Sequence, residues 1–512
     1  MERDVPLSAH PPFGLPALPW LRHLRAWRQW PWRAAWPGIA LALAALALRL
    51  AFISRYPLLY DVDAYGRWLE RDHPFSSPWV PLFQVCLYLL TRLADSILAV
   101  RLLSAVFGAA AALAFWLLLR RAFGPAIAYL GALLLALNPL FTLFTIVPYQ
   151  EGLFLSLAFL ALWLARAPDG PRWPPLALVT GLAALTRYEG WLLALLLWLF
   201  LLWRVWRTDR LTWRFAAASA LALGWAPLLW IAAQRNVSPT GIETLAPTLD
   251  PTSLVTTLQA LWPQWTFHLG IAGGALALGG LLWLGWRATR GSELAALLLA
   301  FLAGDLLVLA FLRPFSPGNL RLPLLSLPVV IAGTAGLLVD GGRLLWRHFP
   351  WQRGLLARQS LLRRSLLVVV TAVMLLWFVP TSLQEVAAYD ALVRPAYLAA
   401  DNLPRSVPPN ATVALLGNGI DTFAFPVYAQ QAGWDGSLTT LDPATASAPA
   451  TLAAALRAAH ARILIVYGLA DADAGVLALA HAGILLPVAQ GPGYTIWLAQ
   501  SFSASGGQTV AG

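Results

Sequence analysis

The 512-residue chain has one cysteine, Cys86, two methionines and no lysine, so all 35 of its Lys and Arg positions are arginine. A single cysteine excludes a disulfide framework and a cysteine-ligated zinc site. The absence of lysine, beside abundant Ala, Leu and Pro, reads as the codon composition of a high-GC genome more than a functional choice. Charge of either sign is scarce: charged residues make up 12% of the chain, about half the usual share. With 59% hydrophobic residues and a mean hydropathy of +0.66, the composition excludes the soluble protein of about two to four domains that the length alone would suggest. The net charge of +11 invites a nucleic-acid reading. The arginines are spread through segments between apolar runs, however, so no nucleic-acid partner is expected. Residues 1–35 are rich in Pro, Trp and Arg and lack the short apolar core and small-residue cleavage site of a signal peptide.

Long hydrophobic runs are what the chain has in plenty. Eleven runs are measured against the roughly 20 residues needed to cross a bilayer. They lie near 36–54, 97–119, 125–143, 150–166, 174–188, 190–203, 214–233, 268–286, 293–312, 320–339 and 364–380. With a cytoplasmic N-terminus, the arginine-rich connections all fall on one side, as the positive-inside bias requires. They hold Arg22 to Arg33, Arg120 and Arg121, Arg166 and Arg172, Arg204 to Arg214, Arg287 and Arg290, and Arg343 to Arg364. The expected fold is an α-helical polytopic membrane protein with about eleven transmembrane helices and a small C-terminal α/β domain outside the membrane. Its parts are a basic cytoplasmic segment 1–35, a membrane domain 36–380 with a first outside loop 55–96, an extracytoplasmic α/β domain 381–500 and a disordered tail 501–512. Residues 79–95, interrupted by Pro81, Gln84, Arg92 and Asp95, read as an amphipathic surface helix. In the C-terminal unit, strands are predicted at Ala411–Leu416, Arg462–Tyr467 and Tyr494–Ala499. Helices are predicted at Thr422–Gln431, Ala450–His460 and Ala474–Ala482.

Charges beside apolar spans are costly and mark candidate sites. On the outside face the topology gathers Asp61 and Asp63, Glu151 behind Pro148, the turn Arg187-Tyr188-Glu189, and Arg313, Asn319 and Arg321. In an extended loop, residues two apart point the same way, so Asp61 and Asp63 can face one site, where mutual repulsion raises one pKa. One of them would then serve as a general base, or both would hold a divalent metal through oxygen ligands. Arginines at this surface suit a phosphate, which they grip through paired N–H groups. His73 and His268 read as surface residues, and Gly417-Asn418-Gly419 lacks the full glycine pattern of a phosphate loop and reads as a turn. A transporter or lipid flippase is the rival reading. It would put its charges near the membrane midplane and carry internal symmetry, and the sequence shows no such repeat.

Over residues 36–340 the chain resembles the GT-C superfamily of polytopic glycosyltransferases, in particular the protein mannosyltransferase and aminoarabinose transferase group. The resemblance rests on Asp61-Val62-Asp63 in the first outside loop, Pro78-Trp79-Val80-Pro81-Leu82 after it, and Arg101 to Ser104 opening the second span. Asn138-Pro139 at the end of the third span and Leu185-Thr186-Arg187-Tyr188-Glu189-Gly190 complete it. The group's common Asp-Glu pair is here Asp63-Ala64, which leaves open which of Asp61 and Asp63 fills the acidic position. The resemblance implies inverting sugar transfer from a polyprenyl-phosphate donor to a lipid, glycan or protein acceptor. Asp63, with Asp61 and Glu151, would be catalytic. Arg187, Arg313 and Arg321 would face the donor phosphate, and Tyr65, Tyr188 and Glu189 the substrate. Some members use a divalent metal (Mg or Mn), for which Asp61 and Asp63 would be ligands, and others do not.

Overall fold

The computed structural model describes residues 32–56, 67–68, 71–75, 80–94, 96–166, 172–207, 212–234, 255, 259, 262–263, 265–311, 323–348, 359–408, 411–417, 425–430, 432–434, 436–467 and 474–500. A helix occurs at each of the eleven predicted spans. These are α1 (Trp32–Arg55), α3 (Ile97–Phe123), α4 (Pro125–Leu137), α6 (Glu151–Ala165), α7 (Trp173–Ala184) and α8 (Glu189–Trp206). They continue with α9 (Trp213–Gln234), α10 (Gly270–Thr289), α11 (Glu293–Phe311), α12 (Pro323–His348) and α13 (Gln359–Ser406). Between α1 and α3 lies α2 (Leu82–Leu93), too short to span. Among the described residues, seven helices are long and apolar enough to cross a membrane. The chain is a multi-pass membrane protein with a small five-stranded sheet at its C-terminal end.

Local chemistry sets the helix ends. The Ser96 hydroxyl accepts from Leu98 N–H and caps α3. Gly124, with φ of +94°, then turns the chain so that Pro125 can open α4. The third predicted span, 125–143, is not one helix. It breaks at Asn138, whose side chain accepts from Phe141 N–H and starts the short helix α5 (Pro139–Leu143), because Pro139 has no N–H to continue the ladder.

The last helix, α13, does not stop at the membrane. Its 48 residues measure about 72 Å, more than twice the roughly 30 Å hydrocarbon core. It carries the chain from the bundle to the sheet, where Asn402 Nδ2 donates to Tyr494 Oη at 2.5 Å.

The sheet contains β1 (Val413–Leu416), β2 (Leu438–Leu441), β3 (Ile463–Tyr467), β4 (Leu485–Gly491) and β5 (Tyr494–Ala499), in the order β2-β1-β3-β5-β4. Strands β2, β1 and β3 run parallel, and β5 and β4 add an antiparallel edge. Residues alternate between two cores. Val413, Leu415, Ile463 and Ile465 join the core that extends from α13 into the bundle. Ala414, Leu416, Leu464 and Val466 pack with α14 (Pro449–Ala458) and α15 (Ala474–His481) on the other face. All three strands predicted from sequence are present; β2 and β4 are additions.

Candidate active site

Two ends of the bundle are distinguishable. At one end Arg121 Nη1 donates to Trp163 O at 2.9 Å, and Arg166 and Arg204 flank Glu293 at 3.8 and 3.6 Å. At the other end the N-termini of α6 and α8, the C-termini of α4 and α7, and the upper part of α11 meet. Helices α6 and α7 have 15 and 12 residues, about 22 and 18 Å, so both fall short of the hydrocarbon thickness. The missing length is where polar groups collect.

Arg187 stands at the centre of that collection, in the turn between α7 and α8. Its Nε and Nη2 donate to the two oxygens of Glu189 at 3.1 and 2.6 Å, a bidentate pair, and its Nη1 donates to Glu151 Oε1. Glu151 is the first residue of α6 and Glu189 the first of α8. Each carboxylate therefore also lies where the helix dipole favours negative charge. The carboxylates of Glu189 and Glu151 balance the charge of Arg187. Tyr188 packs edge-on against Trp191 with ring centroids 5.3 Å apart. Leu82 N–H donates to Leu185 O at 2.8 Å, which ties α2 to this turn.

Two further charged groups complete the cluster, and the sequence reading passed over both. Asp305, from within α11, is 1% exposed and interacts electrostatically with Glu189 and Arg187. Its Oδ2, like Glu151 Oε2, has no hydrogen-bond partner among the described residues. Arg67, fully buried, lies with its guanidinium 6.0 Å from the centre of the Phe83 ring and attracts Glu151. Two guanidinium groups thus face three carboxyl groups. The signal for Asp305 was available, since an acid inside an apolar span is a functional candidate by default. Arg67 could have been noticed as an arginine on the arginine-poor side.

Between α4 and the body of α6 lie residues 144–151, which the span boundaries predict as a short outside loop. In the structure residues 138–150 are buried throughout. Irregular backbone at membrane depth needs internal partners for its carbonyls. Arginines from two helices reach this segment and the end of α4. Arg101 Nε donates to Ile146 O at 2.9 Å, and Arg49 Nη1 donates to Ala136 O at 3.4 Å. Arg49 Nε also donates to Thr145 Oγ1 at 2.7 Å, with its guanidinium 4.9 Å from the Phe141 ring centre. Replacing Arg49 with Leu leaves those acceptors buried and unmet. A loss of about 1–3 kcal/mol is expected, read as an earlier thermal midpoint in detergent.

Helix α6 is positioned by close approach to α3. A Cβ on Gly152 would lie 2.9 Å from the backbone N of Gly108, a small-residue contact of the kind that packs membrane helices. Gly152→Ala must push α6 off α3 and shift the adjacent Glu151. It is expected to destabilise by about 1–3 kcal/mol, again measured as a thermal midpoint, whereas the same substitution at Gly285, which has open space, should be silent.

Of the residues predicted from sequence, Glu151, Arg187, Tyr188 and Glu189 come together. Asp61, Asp63, Tyr65, Arg313 and Arg321 lie outside the described residues. His73 is exposed, and His268 faces Glu385 at 3.9 Å. Among the described residues no three His, Cys, Asp or Glu side chains are grouped so as to hold a metal. Glu151 Oε1 and both oxygens of Glu189 are already engaged by Arg187. The described cluster therefore does not fit a divalent ion.

Residues 72–230 match the family model described as dolichyl-phosphate-mannose-protein mannosyltransferase. The fold is similar to the crystal structure of ArnT from Cupriavidus metallidurans bound to undecaprenyl phosphate. The TM-score is 0.61 at 15% identity, covering 91% of this chain and 98% of that one. The chain has the GT-C membrane fold. It is also similar to the archaeal oligosaccharyltransferase AglB from Archaeoglobus fulgidus in complex with an inhibitory peptide and a dolichol-phosphate. There the TM-score is 0.51 at 12% identity, covering 91% of this chain and 75% of that one. A complex of the Archaeoglobus fulgidus oligosaccharyltransferase with Zn and sulfate gives 0.50 at 14% identity, over 83% and 68% of the two chains. No curated protein matches the sequence significantly. In this GT-C fold the Glu151–Arg187–Glu189 cluster sits at the bundle end to which α2 is tied.

Proposed function

We propose that the protein transfers a sugar from a polyprenyl-phosphate donor to an acceptor hydroxyl on the extracytoplasmic side of a membrane, with inversion at the anomeric carbon. The observation that carries this reading is the set of buried Glu151, Arg187 and Asp305 with half-buried Glu189, recessed at one end of a GT-C bundle. Such a set is costly in an apolar medium and has no evident structural need. The lipids named with similar folds, undecaprenyl phosphate with ArnT and dolichol-phosphate with AglB, are of the donor's class. The acceptor hydroxyl belongs to a lipid, a glycan or a protein.

In this mechanism the carboxylate of Asp63 takes the proton from the acceptor hydroxyl, with Asp61 supporting it. The acceptor oxygen bonds to the anomeric carbon as the bond from that carbon to the phosphate oxygen breaks, and polyprenyl phosphate leaves from the opposite face. Negative charge grows on the leaving phosphate and is met electrostatically. Three of the five N–H donors of Arg187 are committed to carboxylates. Its main task is then to hold Glu151 and Glu189 in place. Its two remaining donors share the phosphate with Arg67, Arg313 and Arg321, while Tyr65, Tyr188 and Glu189 contact the sugar. No step is routed through a metal. The membrane part, 36–380, carries the reaction, and residues 381–500 form an extracytoplasmic unit beside it.

The deciding experiment offers the purified protein a panel of polyprenyl-phosphate and nucleotide-linked sugars with lipid, glycan and peptide acceptors, and reads products by mass. Transfer from a polyprenyl-phosphate donor is expected. Transfer from nucleotide sugars alone would sink the donor assignment.

A further inference from the structure

The end of the bundle opposite Arg187 carries a feature that the transfer reaction does not use. Helices α8 and α11 leave between them an apolar groove of about 350 Å³ lined by Leu196, Leu199, Phe200, Trp203, Leu297 and Ala300. Leu199, Trp203, Ala296 and Ala300 are exposed, so the groove opens sideways to the bilayer. Glu293, at the start of α11, closes its far end. There Arg204 lies 3.6 Å and Arg166 3.8 Å from the Glu293 carboxylate. Arg166 Nη1 is buried with no hydrogen-bond partner among the described residues. Arg207 stacks over Trp203 with its guanidinium 4.8 Å from the ring centre. Three guanidinium groups against one carboxylate leave a surplus of positive charge at the mouth.

We propose that this groove binds an anionic phospholipid of the leaflet at the arginine-rich end, with an acyl chain along Leu196–Trp203 and the headgroup phosphate on Arg166, Arg204 and Arg207. The direction follows from chemistry. Glu189 stands about 10 Å beyond Leu196 along α8, and Trp203 about 10 Å further the other way. A lipid hanging from the Arg187 end would bring an apolar chain end against Glu293 and its arginines. A lipid entering from the arginine-rich end puts phosphate on guanidinium and hydrocarbon on leucine. A surplus of cations at a membrane surface favours an anionic headgroup, by about five-fold per charge. This binding is independent of the transferase reading, and its test does not involve catalysis.

The test is native mass spectrometry of the full chain in mild detergent with added phosphatidylglycerol or phosphatidylcholine. Phosphatidylglycerol should be retained at least about five-fold better. Arg204→Gln should reduce that retention about five-fold. Because Arg204 Nη1 also donates to Ala165 O, a second variant is needed. Ala300→Trp fills the groove from its exposed side and should abolish retention at an unchanged thermal midpoint. Equal retention of the two phospholipids, or full retention in Ala300→Trp, overturns the proposal. So does displacement of phosphatidylglycerol by stoichiometric undecaprenyl phosphate, which would give the groove to the donor chain instead.

Discussion

Asp63→Asn is expected to lower sugar transfer by about 10²–10⁴-fold, the contribution of a positioned general base, while expression and thermal midpoint stay those of the wild type. An amide keeps the shape of the side chain and removes its ability to take the acceptor proton. The loss should appear in kcat, because the acceptor still binds and only the proton transfer fails. Asp61→Asn should have a smaller effect if Asp61 supports its neighbour. If the two effects are reversed, Asp61 is the base. Full activity of purified Asp63→Asn with a polyprenyl-phosphate donor would remove the base assignment. The comparison also tests the pairing itself, since two carboxylates that share a site couple and their single and double substitutions should not add.

The topology was legible because it rests on long-range averages. Twenty apolar residues are needed to cross a bilayer wherever they occur, and arginine bias sorts the ends. The structure brings Glu151 to Arg187 and Arg204 to Glu293 as that alternation requires. What was not legible depends on contacts distant in sequence. The loop at 144–151 looked like a surface connection because nothing within it says that Arg101 will reach the Ile146 carbonyl and Arg49 the Thr145 hydroxyl. Arg49 lies in the first predicted span and Arg101 opens the second. Strand β4 was hidden by Pro487, which argues against a strand. It is tolerated because β4 is at the edge of the sheet and the pairing with β5 shifts register between Pro487 and Ala489. Strand β2 is four residues, Leu-Thr-Thr-Leu, too short to stand out by alternation. Asp305 was visible as a lone acid in the ninth span. Its importance appears only when the carboxylates of Glu151 and Glu189 are seen around the same guanidinium.

Arg187→Ala should be the most damaging single change in the protein. Glu151 is 0% exposed and Asp305 1%. Removing the only cation hydrogen-bonded to both Glu151 and Glu189 among the described residues leaves Glu151 and Asp305 buried with far less compensation, a loss of about 3–5 kcal/mol. The protein should express poorly and melt early. A structural role would explain that result as well as a catalytic one, so the informative comparison is with compensated variants. Arg187→Ala combined with Glu151→Gln and Glu189→Gln removes the two carboxylates hydrogen-bonded to Arg187 along with their partner, and much of the lost stability should return. Transfer should not return if the cluster works on the donor. Arg187→Lys separates the tasks further: it keeps a cation but cannot hold Glu189 bidentately while reaching Glu151. It should fold, and its KM for the polyprenyl-phosphate donor should rise. A triple variant that is stable and fully active, with unchanged donor dependence, would leave Arg187 a structural residue only. The phosphate would then fall to Arg67, Arg313 and Arg321, and the buried carboxylates would have no part in the chemistry.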